Sequence, residues 1–149
     1  MSKLEHSTSR ACVLLVDDHA PLRRLLRIAL EGAGLRVLEA ATVADAAAWL
    51  GRLRPRAVVL SLQQAESHGL DLLEQLRAFH GLDEVPVAFL AGDLAEDLRW
   101  RALRAGADWF SPRPFSVREL QMRVADLVRC GRPRLRVVAS RPHSERKAG

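Results

Sequence analysis

The chain has 149 residues, 48% of them hydrophobic and 28% charged, which is the balance of a single globular domain with its own core. It has no apolar run long enough to span a bilayer, and its polar first residues lack the apolar segment of a secretory signal. We therefore expect a cytoplasmic protein with no membrane partner.

The formal net charge of +5 belongs to the C-terminus. From Arg129 onward the chain has seven basic residues and one acidic residue, which leaves sixteen basic against seventeen acidic residues in positions 1–128. The body is thus nearly neutral, and its net charge gives no support to a DNA-binding face. We do not expect nucleic acid to be a partner of the body.

The first strand ends in the strongest candidate for a site. After residues 1–10, which are polar and predicted to be disordered, Val13–Val16 are all apolar and predict a strand covered on both faces. Asp17 and Asp18 follow directly. Because α/β folds bind ligands at the carboxyl ends of their strands, these carboxylates predict the binding crevice. Two adjacent carboxylates repel each other and need a cation, a basic side chain or water nearby.

Helices and strands then alternate along the chain. Pro21 and apolar residues at helical spacing predict a first helix, with Gly32 and Gly34 as a left-handed stop. A short strand over residues 35–40 and a capped helix over residues 42–53 follow.

The alternation continues to residue 131. We predict further strands over residues 57–62, 85–90 and 107–111, and further helices over residues 69–79, 93–106 and 116–131. Five strand–helix units predict one parallel sheet with helices on both faces. The predicted domain therefore spans residues 11–130, and residues 131–149 form a basic tail that we expect to be solvated.

Several segments together give a specific resemblance. They are VLLVDD, then AVVLSL followed by GLDLL, then VPVAFLAG, then GADWFSPRPF followed by SVREL. In this order and spacing the chain resembles the receiver domain of two-component response regulators, from about residue 12 to residue 129. The resemblance implies a flavodoxin-like fold with a doubly wound, five-stranded parallel sheet, and a role in phosphorelay signal transduction.

The resemblance also implies a phosphorylation pocket, of which this sequence keeps only part. The family's acidic pair, which holds magnesium, is matched by Asp17 and Asp18. Ser61 stands where an aspartate accepts a phosphoryl group from a histidine kinase. Ala91 and Arg113 stand where a hydroxyl and a lysine bind that group.

The loss of the aspartate has two expected consequences. Ser61 offers a weak nucleophile with no adjacent general base, and a serine phosphate lacks the lability of an acyl phosphate. With one carboxylate fewer, we expect magnesium at Asp17 and Asp18 to be weak or vestigial, and we expect no other cofactor. We predict no enzyme activity, because the crevice lacks a nucleophile with its base and the chain has no glycine-rich phosphate loop.

The other pocket positions also depart from the family. Ala91 lacks the hydroxyl that would report phosphorylation, and Phe110, at the position of the switch aromatic, is expected to be a core residue. Arg113 keeps a positive charge with a planar fork that suits carboxylates. We expect Arg113 to pair with Asp17 or Asp18 in place of magnesium; in the alternative, it points to solvent.

The resulting prediction is a stand-alone pseudo-receiver, with no output domain, that acts by phosphorylation-independent protein–protein interaction. Its expected partner is a histidine kinase, another regulator or a scaffold. A homodimer is also considered, through the face formed by the last two helices and the fifth strand. This face carries Arg99, Trp100, Arg104, Arg118 and Arg123.

Two alternatives remain open at the level of sequence. The receiver is phosphorylated at an unconventional residue such as Ser61, Glu66 or Asp71, or the basic tail contacts nucleic acid.

Overall fold

The computed structural model describes residues 10–61, 66–78, 82–91, 96–112 and 116–133. Within them, the strands are β1 (Cys12–Val16), β2 (Arg36–Ala40), β3 (Ala57–Leu60), β4 (Val87–Ala91) and β5 (Trp109–Pro112). The helices are α1 (Ala20–Gly32), α2 (Val43–Leu50), α3 (Glu66–Ala78), α4 (Glu96–Ala105) and α5 (Val117–Cys130). All strand pairs are parallel, in the order β2-β1-β3-β4-β5. The predicted fold class is confirmed.

Two apolar cores cover the two faces of the sheet. Successive side chains of a strand point to opposite faces, so Leu14 and Val16 enter one core while Val13 and Leu15 enter the other. Helices α2, α3 and α4 pack on the first core, and α1 and α5 on the second. Burial on both faces explains why the central strands are continuous apolar runs in the sequence.

Local capping sets several helix ends. Thr42 Oγ1 accepts a hydrogen bond from the backbone N–H of Asp45 at the start of α2, and Ser116 Oγ accepts one from Glu119 N at the start of α5. Both predicted caps are confirmed. After α1, however, only Gly34 adopts a left-handed backbone, with φ of +87°, while Gly32 is the last residue of the helix.

Two predicted helix boundaries are wrong. α2 ends at Leu50 and not at residue 53, because Gly51, a poor helix former, stands at its C-cap before Pro55 is reached. α3 begins at Glu66 and not at Gly69, so the helix takes in three residues that were predicted to be loop. Gly69 was taken as a boundary, but it is a buried position inside the helix, where tertiary packing outweighs its low helix propensity.

A buried ionic cluster ties together the amino ends of β4 and β5. We call Asp108, Arg77 and Arg132 the Asp108 cluster. The Asp108 carboxylate is fully buried and accepts hydrogen bonds from Arg77 Nη2 at 3.0 Å, Arg132 Nε at 3.0 Å and Val87 N at 2.9 Å. Both guanidinium groups also donate to the carbonyl of Gly106. This cluster joins the end of α3 to the residues just beyond α5.

No helix in the described part of the chain is both long enough and apolar enough to cross a membrane.

Candidate functional site

The carboxyl ends of β1 and β3 bring Asp17 and Ser61 side by side. Val16 pairs with Leu60 across the two strands, and the next residue of each strand is Asp17 and Ser61, respectively. Ser61 N donates to the carbonyl of Val16 at 2.8 Å, which fixes the backbone at this point. The topology thus brings together two of the predicted site residues that lie 44 positions apart in sequence.

Asp17 is a fully buried carboxylate that is only partly hydrogen-bonded. Its Oδ1 accepts a hydrogen bond from His19 N at 2.8 Å, whereas Oδ2 has no hydrogen-bond partner among the described residues. Ser61 Oγ is likewise fully buried and without such a partner there. Two unsatisfied polar groups in one buried place are unusual, because each costs free energy when it is left unpaired.

Burial raises the pKa of Asp17 above its ordinary value of 3.8, and the neighbouring charge of Asp18 raises it further. The backbone N–H of His19, the Ser61 hydroxyl and the charge of His19 act in the opposite direction. The Ser61 hydroxyl is therefore close enough to affect the carboxyl group, although the two do not reach the geometry of a full hydrogen bond.

The oxygen atoms at this crevice fit a divalent cation only in part. Asp17 and the exposed Asp18 are hard oxygen ligands of the kind that magnesium prefers, and Ser61 adds a neutral hydroxyl. The described residues contain no group of three or more His, Cys, Asp or Glu side chains placed to hold a metal ion. Weak magnesium binding at Asp17 and Asp18 therefore stays a prediction.

Ala91 and Phe110 lie together in the core below the crevice. Ala91 ends β4 with its side chain fully buried, in the same apolar cluster as Phe110. The Phe110 ring stacks on Phe89, with centroids 6.0 Å apart, and is directed into the protein. In this structure Phe110 is packed as a core residue.

Arg113 lies outside the described residues, as do Gln63 and Gly92. The expected ion pair between Arg113 and the acidic pair is therefore still a prediction.

Arg23 supports the crevice but was not among the predicted site residues. Arg23 Nη1 donates to the carbonyl of Asp17 at 2.8 Å, and its Nε lies 2.9 Å from Glu39 Oε1. Arg23 thereby ties the first turn of α1 to both the crevice and β2. A helical-wheel comparison with the apolar face of α1 could have placed Arg23 at the sheet side, but nothing in the sequence pairs it with Glu39.

A parallel α/β domain with a crevice at the ends of β1 and β3, and with an acidic pair after β1, is the arrangement expected of a receiver domain. Residues 13–125 match the family model of the response regulator receiver domain. This match covers most of the chain, so the protein belongs to the response regulator receiver family and to two-component signalling.

Full-length relatives extend well beyond the matched region. The chain is 37% identical over 112 residues to the KDP operon transcriptional regulatory protein KdpE of Escherichia coli, which covers 75% of this chain and 48% of that protein. It is 32% identical over 117 residues to the phosphate regulon transcriptional regulatory protein PhoB of Pseudomonas aeruginosa, covering 78% and 51%. The chain thus spans about half the length of these relatives.

Solved structures agree in fold. A putative response regulator from Chloroflexus aurantiacus superposes with a TM-score of 0.75 at 24% identity, covering 81% of this chain and 99% of that one. The receiver domain of the sensor histidine kinase PA1611 from Pseudomonas aeruginosa, solved with magnesium coordinated in its active site cleft, gives a TM-score of 0.72 at 23% identity, with coverage of 80% and 98%. At these identities the likeness establishes the fold alone.

Proposed function

We propose that this receiver acts without aspartyl phosphorylation, by binding another signalling protein. The observation that carries the proposal is that a fully buried serine, Ser61, follows β3 at the position expected for the phosphoacceptor. Receiver domains interact with histidine kinases and other signalling proteins, and we expect the partner to belong to one of these classes.

The chemistry of Ser61 argues against a reversible phosphoryl switch. Its hydroxyl has no solvent exposure and no hydrogen bond to a described base that would remove its proton. A phosphate placed there would be an ester, which is far less labile than an acyl phosphate, so the switch would not reset. The alanine at the end of β4 supplies no hydroxyl to bind the phosphoryl group.

Intact mass spectrometry tests this proposal. The natural protein is incubated with magnesium and a small-molecule phosphodonor, beside the variant Ser61→Asp/Ala91→Thr/Arg113→Lys. We expect no added phosphate on the natural protein and one phosphate on the variant, because only the variant has a carboxylate nucleophile and the groups that stabilise its product.

Phosphate on the natural protein would contradict the proposal. Mapping of its position would then distinguish Ser61 from other acceptors, such as Glu66 in α3 or the exposed Asp71. A third variant, Ser61→Ala, serves as the matched control, because phosphate that persists on it cannot be carried by the Ser61 hydroxyl.

Arg113 would complete this inactive pocket. As the counter-charge to Asp17 or Asp18, its planar guanidinium would take the place of a metal ion and hold the crevice in one conformation.

For the partner surface we favour the face formed by α4, β5 and α5. Arg99, Arg104, Arg118 and Arg123 are exposed there, and Trp100 is half-buried. Between β5 and α5 lies a cleft of about 420 Å³ whose lining includes Trp109, Arg123 and Leu127. Arginine and tryptophan are the side chains most often found at the energetic centre of protein interfaces. A second copy of the chain is the alternative occupant.

A further inference from the structure

Four exposed arginines lie together at the amino ends of β1, β2 and β3, at the opposite end of the sheet from Asp17. We call Arg10, Arg36, Arg54 and Arg56 the basic pole. The backbone N–H of Arg36 donates to the carbonyl of Ala11, and that of Arg56 to the carbonyl of Cys12, both at 2.8 Å. Because β1 lies between β2 and β3, Arg36 and Arg56 flank it, about 10 Å apart.

No carboxylate within the described residues forms an ion pair with any arginine of the basic pole. The Arg56 guanidinium donates to the backbone carbonyl of Val128 at 3.2 Å, which positions it beside the end of α5. Elsewhere arginines are commonly paired, as Arg23 is with Glu39 and Arg77 with Asp108. The basic pole therefore presents positive charge that the domain itself does not neutralise.

Local structure does not account for this clustering. Arginine is favoured in the last turn of a helix because it complements the negative end of the helix dipole, and Arg129 in α5 is such a case. The residues of the basic pole are different: Arg36 begins β2, and Arg10, Arg54 and Arg56 lie in the segments before β1 and β3. Arg56 has one local role, because its guanidinium donates to the Val128 carbonyl in the last turn of α5. Among the described residues, no such contact involves the side chains of Arg10, Arg36 and Arg54.

A groove continues the positive surface toward the C-terminus. It has a volume of about 460 Å³, and its lining includes Arg54, Arg56 and Arg129, with Glu84 as the carboxylate on its wall. Gly131 also lines it, so the chain enters the basic tail at this edge. In sequence, residues 134–149 add five basic residues and one acidic residue.

We propose that the basic pole binds the phosphate backbone of double-stranded DNA. Guanidinium groups donate in a planar fork that matches a phosphate, and several of them along one edge can contact successive phosphates. These arginines come from strand ends and loops and not from a helix that could enter the major groove, so the contact positions the protein without reading base sequence. The proposal goes beyond the protein–protein function and uses a different surface.

Fluorescence anisotropy of a labelled duplex, titrated with the full chain, tests the proposal. The pole variant is Arg36→Ala/Arg54→Ala/Arg56→Ala. The control variant, Arg24→Ala/Arg27→Ala/Arg101→Ala, removes equal charge from α1 and α4, at positions that belong neither to the basic pole nor to the proposed partner face. Circular dichroism and thermal unfolding of both variants check that the fold is retained.

We expect the natural protein to bind with a dissociation constant of roughly 1–100 μM that weakens steeply between about 50 and 200 mM salt. The pole variant should bind at least about tenfold more weakly, and its slope of log affinity against log salt should be shallower by about 2 to 3, one for each lost phosphate contact. The control variant should stay within about twofold of the natural protein, since its arginines do not touch the DNA.

Four results would overturn the proposal. The first is that the natural protein does not bind DNA at low salt, and the second is that the control variant loses as much DNA affinity as the pole variant. The third is that the pole variant binds DNA normally, and the fourth is that the natural protein binds polyglutamate more tightly than DNA. A tail variant, Arg134→Ala/Arg136→Ala/Arg141→Ala, is measured in case the pole variant binds DNA normally. If only the tail variant loses DNA binding, the tail is the site. Preference for polyglutamate would make an acidic protein the ligand.

Discussion

At the scale of single residues, Asp17 has surroundings that are unfavourable for a charged carboxylate. Its carboxylate is fully buried, one of its two oxygens has no described partner, and the neighbouring Ser61 hydroxyl is also unsatisfied. A carboxylate in such a place is destabilised in its charged form, which is why burial raises the pKa of Asp17.

The raised pKa sets the direction of a pH effect. Between the ordinary value of 3.8 and the raised pKa of the folded state, the folded protein holds a proton that the unfolded chain has released. The contribution of Asp17 to stability is therefore most favourable below 3.8, declines as the pH rises through this window, and stays unfavourable above it.

Asp17→Asn should consequently stabilise the protein at pH 7. The amide oxygen can accept from His19 N as Oδ1 does, and the neutral side chain removes the cost of a buried charge. We expect a gain of about 1 kcal/mol or more in the free energy of unfolding at neutral pH, and a flatter pH dependence in the acid range. Thermal and urea unfolding at several pH values measure both.

Asp71→Asn is the matched control, because Asp71 is exposed on α3, away from the buried Asp17, and its substitution should change the free energy of unfolding little. If Asp17→Asn instead destabilises the protein at pH 7, the Asp17 carboxylate has a cationic partner. Arg113 is the residue that we expect in that role.

The sequence predicted the place of this site but not its state. The apolar run that ends in two aspartates was enough to locate the crevice, because parallel strands present their carboxyl ends at one edge. That Asp17 would be buried, with no partner for Oδ2 among the described residues, whereas Asp18 is exposed, depends on the register between β1 and β3 and on the fold of the segment after Val16. No pattern in the sequence encodes either.

At the scale of elements, the glycine that follows α4 has both a special backbone conformation and a contact with a residue far away in sequence. Gly106 follows the helix with φ of +117°, a conformation that favours glycine. A Cβ atom at this position would lie 2.7 Å from Nε of Arg77, whose guanidinium also donates to the carbonyl of Gly106. Backbone strain and a steric clash therefore act at the same residue.

Gly106→Ala should lower the free energy of unfolding by about 1–3 kcal/mol from strain alone, and by more once Arg77 has to move. Gly34→Ala is a matched control, because Gly34 also has a positive φ, of +87°, but a Cβ there would meet no atom within 4 Å. Urea denaturation of the two variants separates the cost of backbone strain, which both variants share, from the cost of the clash with Arg77, which only Gly106→Ala has. Equal losses would show that Arg77 moves aside at no cost.

Helix starts with a side-chain cap were easier to predict than boundaries without one. The caps at Thr42 and Ser116 depend on residues three positions apart, so a short stretch of sequence contains the whole interaction. Glycine as the stop of α4 was likewise predictable. Its crowding by Arg77, 29 residues away, was not, because that contact exists only after the sheet has brought α3 and β5 together.

At the scale of the whole molecule, the distribution of charge says more than its sum. The near-neutral total of residues 1–128 spoke against a nucleic-acid surface, yet the fold gathers Arg36, Arg54 and Arg56 at one end of the sheet and Asp17 and Asp18 at the other. The net charge follows from composition alone, whereas the separation of the arginines from the aspartates follows from the order of the strands. Only the topology could reveal the basic pole.

A charge reversal tests the proposed partner surface, which is formed by α4, β5 and α5. Arg118→Glu/Arg123→Glu should weaken association through α4, β5 and α5 by roughly tenfold or more, because it places like charges where arginines met their partner. Unfolding should change little, since both side chains are exposed and the ion pair of Arg123 with Glu119 is a surface pair.

Sedimentation velocity over a range of protein concentrations measures self-association through this face. Arg24→Glu/Arg52→Glu, at exposed positions on α1 and after α2, is the control and should sediment like the natural protein. A natural protein that stays monomeric throughout would rule out the homodimer and leave a different protein as the partner.

The Asp108 cluster has a mechanical consequence for the tail. Arg132, the second residue after α5, donates to Asp108 Oδ1, to the carbonyl of Asp83 at 2.8 Å and to the carbonyl of Gly106 at 3.3 Å. The chain is therefore clamped at three points just as it leaves the domain, and its direction of exit is set by the amino ends of β4 and β5. A displacement of those strand ends would also move Arg132, so the direction in which the chain leaves α5 is coupled to the positions of β4 and β5.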